Sequence, residues 1–176
     1  MKPNKHINIR SIEIRQAGQE EIPIIQHLAG TVYGFAYLSI LGKPQVEYML
    51  EKFYSTAALV EQMRQGHHFL ISKNQEEDVA FVSYNCLDSR QGIFKLQKLY
   101  VLPEMQGEGL GAYLVNAVTI RVWQNGGKVL RLNINRYNQA RGFYEKLSFR
   151  VIETVDIPIG EGYFMNDYVM EKDLEG

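Results

Sequence analysis

The sequence predicts an α+β fold, in which a central mixed, mostly antiparallel sheet is flanked by helices. Three observations predict it. Strand-like runs at about 67–73, 78–86 and 93–102 follow one another across short polar turns, the pattern of antiparallel neighbours. Helical and strand periodicities then alternate over about 107–125, 128–135 and 138–147, which is the pattern of βα crossovers. Finally, 176 residues with 45% apolar content supply one sizeable core, and no repeat or Pro/Gly-rich linker divides them, so residues 1–176 read as a single domain.

The elements follow in order. Ile7, Ile9, Ile12 and Ile14 mark a first strand within Ile7 to Ala17, with one slip in phase. Ile24, Ile25 and Leu28 share a helical face between Gly18 and Gly30, and Pro23 suits the first turn. After the aromatic stretch Thr31 to Leu41, Pro44 opens one short helix and Ser55 caps a second that Gly66 ends. In the strand at 93–102 the apolar phase steps from Phe94 and Leu96 to Leu99 and Val101, which predicts a bulge near Gln97 and Lys98. Leu110, Tyr113, Leu114, Ala117 and Val118 face the core from the longest helix, and Gly126-Gly127 closes it. Leu130, Leu132 and Ile134 mark the next strand; Ala140, Phe143, Tyr144 and Leu147 mark a helix over Asn138 to Leu147; two strands at about 149–157 and 163–172 finish the chain.

Composition excludes several classes. Charged residues at 22% and aromatics at 11% are those of a globular chain, not a disordered one. No apolar run approaches the ~20 residues that span a bilayer, and the polar N-terminus lacks a secretory apolar stretch, so a cytoplasmic protein without membrane or nucleic-acid partners is expected. The single cysteine, Cys86, has no partner at metal spacing, so no metal is expected and Cys86 is read as a small core residue of a strand. His6, His27, His67 and His68 form no recognisable constellation. The net charge of -1 conceals two blocks. Residues 88–150 carry ten bases (Arg90, Lys95, Lys98, Arg121, Lys128, Arg131, Arg136, Arg141, Lys146, Arg150) against Asp88, Glu104, Glu108 and Glu145. From Glu153 onward Glu153, Asp156, Glu161, Asp167, Glu171, Asp173 and Glu175 face Lys172 alone. Such blocks would attract an anion at one place and a cation at another, or be solvated faces.

The chemistry concentrates in Leu96 to Leu114, where a strand and a short loop lead to Gly107, Gly109 and Gly111 at the mouth of the long helix. Glycines there let the backbone approach a ligand, and the helix start aims unpaired N–H groups and a positive dipole end at it, so a phosphate-binding turn is expected. Ala112-Tyr113 follow Gly111 where a P-loop needs Lys and then Ser or Thr. A dinucleotide fingerprint fits Gly107-x-Gly109-x-x-Ala112, but it should open the first βαβ unit and lead to an acid on the next strand. That strand ends in Asn133-Ile134-Asn135-Arg136.

The remaining frame is Gln106-x-x-Gly109-x-Gly111, preceded by Leu99-x-Val101-x-Pro103 and followed by the run Asn138-Gln139-Ala140-Arg141-Gly142-Phe143-Tyr144-Glu145-Lys146-Leu147-Ser148-Phe149. In these segments, their order and their spacing the sequence resembles the GCN5-related N-acetyltransferase (GNAT) family over most of its length, and the resemblance implies the acyl-CoA N-acyltransferase fold. By the resemblance, Gln106 would begin the turn, and the amides of Gly107, Glu108, Gly109, Leu110, Gly111 and Ala112 would hold the pyrophosphate of acetyl-CoA. Leu99, Tyr100 and Val101 would pair with the pantetheine arm, and a bulge amide would polarise the acetyl carbonyl. Asn138 would meet the pantetheine or the adenine side, and Tyr144 would stand near the sulfur as the catalytic acid. The sequence also departs from the family pattern. Gln97-Lys98 stands where a Glu often relays the acceptor's proton, Asn133 where some relatives carry an acid, and Ser148 where a Gly is usual. Asn138 lies one residue closer to Tyr144 than in many members.

The resemblance therefore implies transfer of an acetyl group from acetyl-CoA to a primary amine. Residues 31–66 are loosely similar to bacterial polyamine acetyltransferases, which points to a small cationic amine as partner. A protein N-terminal or lysine acetyltransferase and a non-catalytic acyl-CoA sensor are the alternatives, and a homodimer is left open.

Overall fold

The computed structural model describes residues 7–175. Its seven-stranded mixed sheet has the order β1-β2-β3-β4-β5-β7-β6, with β1 Ile12–Gln16, β2 His68–Asn74, β3 Glu77–Asp88, β4 Ile93–Val101, β5 Val129–Asn135, β6 Arg150–Gly160 and β7 Tyr163–Asp173. Helices flank it. The chain divides into two compact units, one built from residues up to 84 with 98–117, the other from residues 85–97 with those from 118 onward.

In the first unit β1 and β2 pair antiparallel from Ile12↔Asn74 to Gln16↔Leu70, and β2 pairs antiparallel with β3. Helix α1, Ile22–Ala36, starts where Pro23 fits the first turn and Glu21 Oε2 accepts from Gly18 N at 3.0 Å. The helix does not end at Gly30. Its buried stripe of Ile22, Ile25, Leu28 and Ala29 continues through Val32 and Tyr33, and burial of those side chains outweighs the poor propensity of Gly30 and Gly34. Short α2, Leu38–Leu41, leads to Gly42 at φ +77°, and α3, Lys43–Tyr54, opens on Pro44 as expected. Ser55 caps α4, Thr56–Arg64, by accepting from Ala58 N.

In the second unit β4 and β5 run parallel from Ile93↔Val129 to Leu96↔Leu132, and β5–β7 and β7–β6 are antiparallel. Phe94, Leu130, Leu132 and Met170 are buried together with Val118 and Val122 of α5, Leu110–Gln124, whose first turns belong to the first unit. Gly127 allows the close approach behind this helix: a Cβ there would meet Val122 Cγ1 at 2.3 Å and Val122 O at 2.8 Å.

Several expectations need correction. The first strand begins at Ile12, because Ile9–Ser11 is a 3-10 turn closed by Asn8, and His6 lies outside the described residues. Cys86 is exposed, since β3 runs on past its buried stretch Val79 to Tyr84. The long helix starts at Leu110 rather than 107, and the helix expected from Asn138 is α6, Arg141–Lys146. Among the described residues no helix is long and apolar enough to cross a membrane, and no group of three or more His, Cys, Asp or Glu could hold a metal.

Candidate functional site

In the first unit, β4 ends in a turn tied to its own strand. Gln106 Nε2 donates to Val101 O at 2.9 Å, Met105 is buried beneath the turn, and Leu102 N donates to Val79 O. Gly107 and Gly109 lie at φ +83° and +84°, the left-handed region, and a Cβ on either would meet no atom within 4 Å. Tyr113 N donates to Gly109 O, which makes Gly109 the residue before the first helical turn. Among the described residues, none of the backbone N–H groups of Gly107, Glu108, Gly109, Leu110, Gly111 and Ala112 donates to a protein acceptor. These donors and the positive end of the helix dipole together form a cradle for an anion.

Leu99, Tyr100 and Val101 occupy the end of β4 that leads into this turn, beyond Leu96, where the ladder with β5 stops. The side chain of Tyr100 joins a tyrosine cluster. Its ring lies 5.6 Å from that of Tyr33, 6.2 Å from Tyr54 and 5.2 Å from Phe81, and the Tyr33 ring also lies 4.9 Å from that of Tyr37, tilted at 34°. Burial pushes the phenols of Tyr54 and Tyr100 well above the ordinary range, so both stay protonated. Lys98 donates to Gln62 Oε1 at 2.7 Å and lies 5.3 Å and 5.7 Å from the ring centres of Tyr54 and Phe69. It is a cation held by an amide and aromatic faces.

In the second unit, α6 carries Tyr144, half-buried, its ring edge-on to Phe143 at 4.9 Å and Phe149 at 5.7 Å. The chain leaves α6 through Ser148 at φ +70°, which explains why a glycine is usual there. Asn138 does local work: its Oδ1 accepts from Ala140 N at 2.9 Å and its N–H donates to Asn135 O. The opposite charge blocks meet in four ion pairs within this unit. Arg136 pairs with Asp156, Arg131 with Glu171, Arg150 with Asp173 at 3.0 Å and Lys128 with Glu175 at 3.1 Å.

Sequence reasoning missed two groupings. The tyrosine cluster draws on residues distant in sequence, and its only signal was the aromatic stretch before Leu41. The second is a polar patch of Lys95, Asn133 and Asp167. Asp167 is 6% exposed, accepts from Asn133 Nδ2 at 3.5 Å and has its carboxyl pKa raised by burial; Lys95 has its ammonium pKa lowered, also by burial. An acid in the inward phase of β7, two residues before buried Val169, was the available signal.

This fold and this turn define an acyl-CoA N-acyltransferase architecture, and the comparisons agree. The family model described as acetyltransferase (GNAT) domain matches residues 37–161, and the chain belongs to that family. N-acetyltransferases named as uncharacterised in Mycobacterium bovis and Mycobacterium tuberculosis are 36% identical over 81 residues, 46% of this chain and 51% of theirs. The chain thus spans about half the length of the curated relatives it matches. Among solved structures, PaiA N-acetyltransferase from Thermoplasma acidophilum in complex with coenzyme A superposes with TM-score 0.78 at 23% identity, over 93% of this chain and 99% of that one. A GCN5-related N-acetyltransferase from Rhodopseudomonas palustris gives 0.79 at 18%, over 93% and 96%. The yncA acetyltransferase of Salmonella typhimurium, solved with its cofactor acetyl-CoA, gives 0.64 at 19%, over 93% and 94%. At these identities the likeness establishes the fold.

Proposed function

We propose that this protein is an acetyl-CoA-dependent N-acetyltransferase acting on a primary amine, with residues 1–176 as one N-acetyltransferase domain. The observation that carries the proposal is the run of unbonded amides from Gly107 to Ala112 at the start of α5. Backbone donors of this kind, with glycines that keep side chains out of the way, suit the pyrophosphate of CoA. Acetyl-CoA would supply an activated thioester carbonyl. Leu99, Tyr100 and Val101 would hold the pantetheine arm through main-chain groups, and N–H groups of this strand would meet charge developing on the carbonyl oxygen. Tyr144 would return a proton to the departing sulfur. Asn138, whose side-chain oxygen holds its own turn, would act by shaping that loop.

A small cationic amine such as a polyamine is the acceptor we favour. Its support is Asp167, a buried carboxylate that forms no ion pair among the described residues and that a cation would neutralise. The test is a panel of amines, including polyamines, amino acids and peptides, offered with acetyl-CoA while free thiol is read. Amine-dependent thiol release with a preference for polyamines is the expected result. Release with peptides alone would move the acceptor to protein, and binding of CoA without release would make the chain a sensor.

A further inference from the structure

The first unit holds a cavity that is lined by none of the residues assigned above to cofactor or acid. It lies where α1 packs on α3 and measures about 300 Å³, at the small end of the range for ligand pockets. Gln26 and Gly30 of α1 line one side and Glu47, Leu50 and Glu51 of α3 the other, with Tyr54 and Ser55 at the end of α3. Two surface acids alone would be a solvated face, and Gly30 makes this one different. Inside a helix a glycine costs ~1 kcal/mol against alanine, and packing does not require it here, since a Cβ would meet no atom within 4 Å. A longer side chain at this position would take up the space of the cavity, so the glycine keeps it open.

The polar groups around that space are acceptors. Gln26 Nε2 donates to Tyr54 O at 2.9 Å and to Thr56 Oγ1 at 3.3 Å, which fixes the amide and leaves Oε1 without a partner among the described residues. The Glu51 carboxylate makes no ion pair or hydrogen bond among the described residues. Glu47 has an ion pair with Lys43, but at 3.6 Å between two exposed side chains it is longer than a hydrogen bond and leaves the carboxylate's acceptor sites open. Ser55 Oγ is engaged as the cap of α4, accepting from Ala58 N. No Lys, Arg or His lines the cavity, and Leu50 supplies an apolar surface beside the acids.

We propose that the cavity between α1 and α3 is a binding site for a primary alkylammonium ion, separate from the acyl-transfer site. The three N–H donors of R–NH3+ match three acceptors, the carboxylates of Glu47 and Glu51 and Gln26 Oε1, and the alkyl chain has Leu50 and the bare backbone of Gly30 to lie along. A quaternary ammonium carries the charge without the donors, and an alcohol carries a donor without the charge, so both should bind less well. A metal ion is a poorer match, because among the described residues no group of three or more His, Cys, Asp or Glu could hold one. The site does not depend on the acetyl-transfer reading, and its test uses no acyl donor.

The experiment titrates butylammonium chloride into 15N-labelled protein at pH 7 and follows amide shifts in wild type, Glu51→Gln, Gly30→Leu and Gly34→Leu. Butyltrimethylammonium and 1-butanol are compared on wild type. Gly34 controls for helix propensity: it lies in α1, is exposed, and a Cβ on it also meets nothing within 4 Å, but it does not line the cavity. The expected result is saturable shifts at the amides of Gly30, Glu47, Glu51 and Ser55 with butylammonium. The apparent Kd should rise ~5-fold or more in Glu51→Gln, which replaces a charged acceptor by a neutral one. These shifts should be lost in Gly30→Leu and unchanged in Gly34→Leu, with neither leucine lowering the melting temperature; should Gly30→Leu melt below Gly34→Leu, Glu51→Gln decides alone. Saturable shifts only elsewhere in the chain, an equal response to butyltrimethylammonium or 1-butanol, an unchanged Kd in Glu51→Gln, or the same loss in Gly34→Leu as in Gly30→Leu would overturn the site.

Discussion

Asp167 and Tyr144 carry opposite expectations for stability and rate. Because burial raises the carboxyl pKa of Asp167 above 3.8, the folded state favours the protonated form. Stability is therefore fully present below pH 3.8 and is lost as pH rises through the higher folded value. The isosteric Asp167→Asn variant has no proton to lose there. Its melting temperature relative to wild type should be higher at pH 7 than at pH 3.5, and thermal scans at the two pH values read the difference; a constant offset would contradict the burial argument. Tyr144→Phe keeps the ring between Phe143 and Phe149 and removes only the hydroxyl. A fall in kcat of ~10² with unchanged KM for acetyl-CoA and unchanged melting temperature is expected. Near-wild-type turnover would make water the proton source.

At the scale of elements, β7 is joined to its neighbours β5 and β6 by two kinds of ion pair. Arg131 and Glu171 face each other in register and are largely enclosed, with side-chain exposures of 31% and 15%, whereas Arg150 and Asp173 are exposed at 64% and 57%. Chemical denaturation should show Glu171→Gln costing ~1–2 kcal/mol and Asp173→Asn less than ~0.5 kcal/mol. Equal costs would mean that enclosure adds nothing. Elements were legible in the sequence where local chemistry decides them. Pro44 and Ser55 open α3 and α4 as read, and the strand runs from His68 to Val101 lie within a residue or two of expectation. Helix α1 was read short because Gly30 signals a stop locally, while the burial that carries the helix to Ala36 comes from packing on other elements. Cys86 was misplaced for the related reason that a strand can outrun its own core. The glycine turn was legible because its requirement is local, a left-handed backbone at Gly107 and Gly109. Asp167 was not, since its isolation depends on which neighbouring arginines are already engaged by other acids.

At the scale of the whole molecule, four acids of the tail are engaged by bases of the preceding block, in Arg136–Asp156, Arg131–Glu171, Arg150–Asp173 and Lys128–Glu175, which reduces the field the tail presents. Selectivity for a cationic acceptor should therefore come from a buried carboxylate more than from a diffuse acidic tail. Between 0.05 and 0.5 M salt, KM for the amine should change by less than ~3-fold, because buried charges are weakly screened. A steep salt dependence would return the acidic tail to the account. The claim on which the functional reading depends is that the Gly107 to Ala112 amides hold CoA, and calorimetry with CoA tests it most directly. The proteins to compare are wild type, Gly109→Val and Gly66→Val. Gly66 shares a left-handed backbone at φ +89°, and its Cβ would also meet nothing within 4 Å, but it closes α4 rather than the turn. Both variants carry similar backbone strain. The account predicts CoA affinity weakened ~10²-fold or more in folded Gly109→Val, the loss of two charge-assisted bonds, and wild-type affinity in Gly66→Val; equal affinity in all three would contradict it.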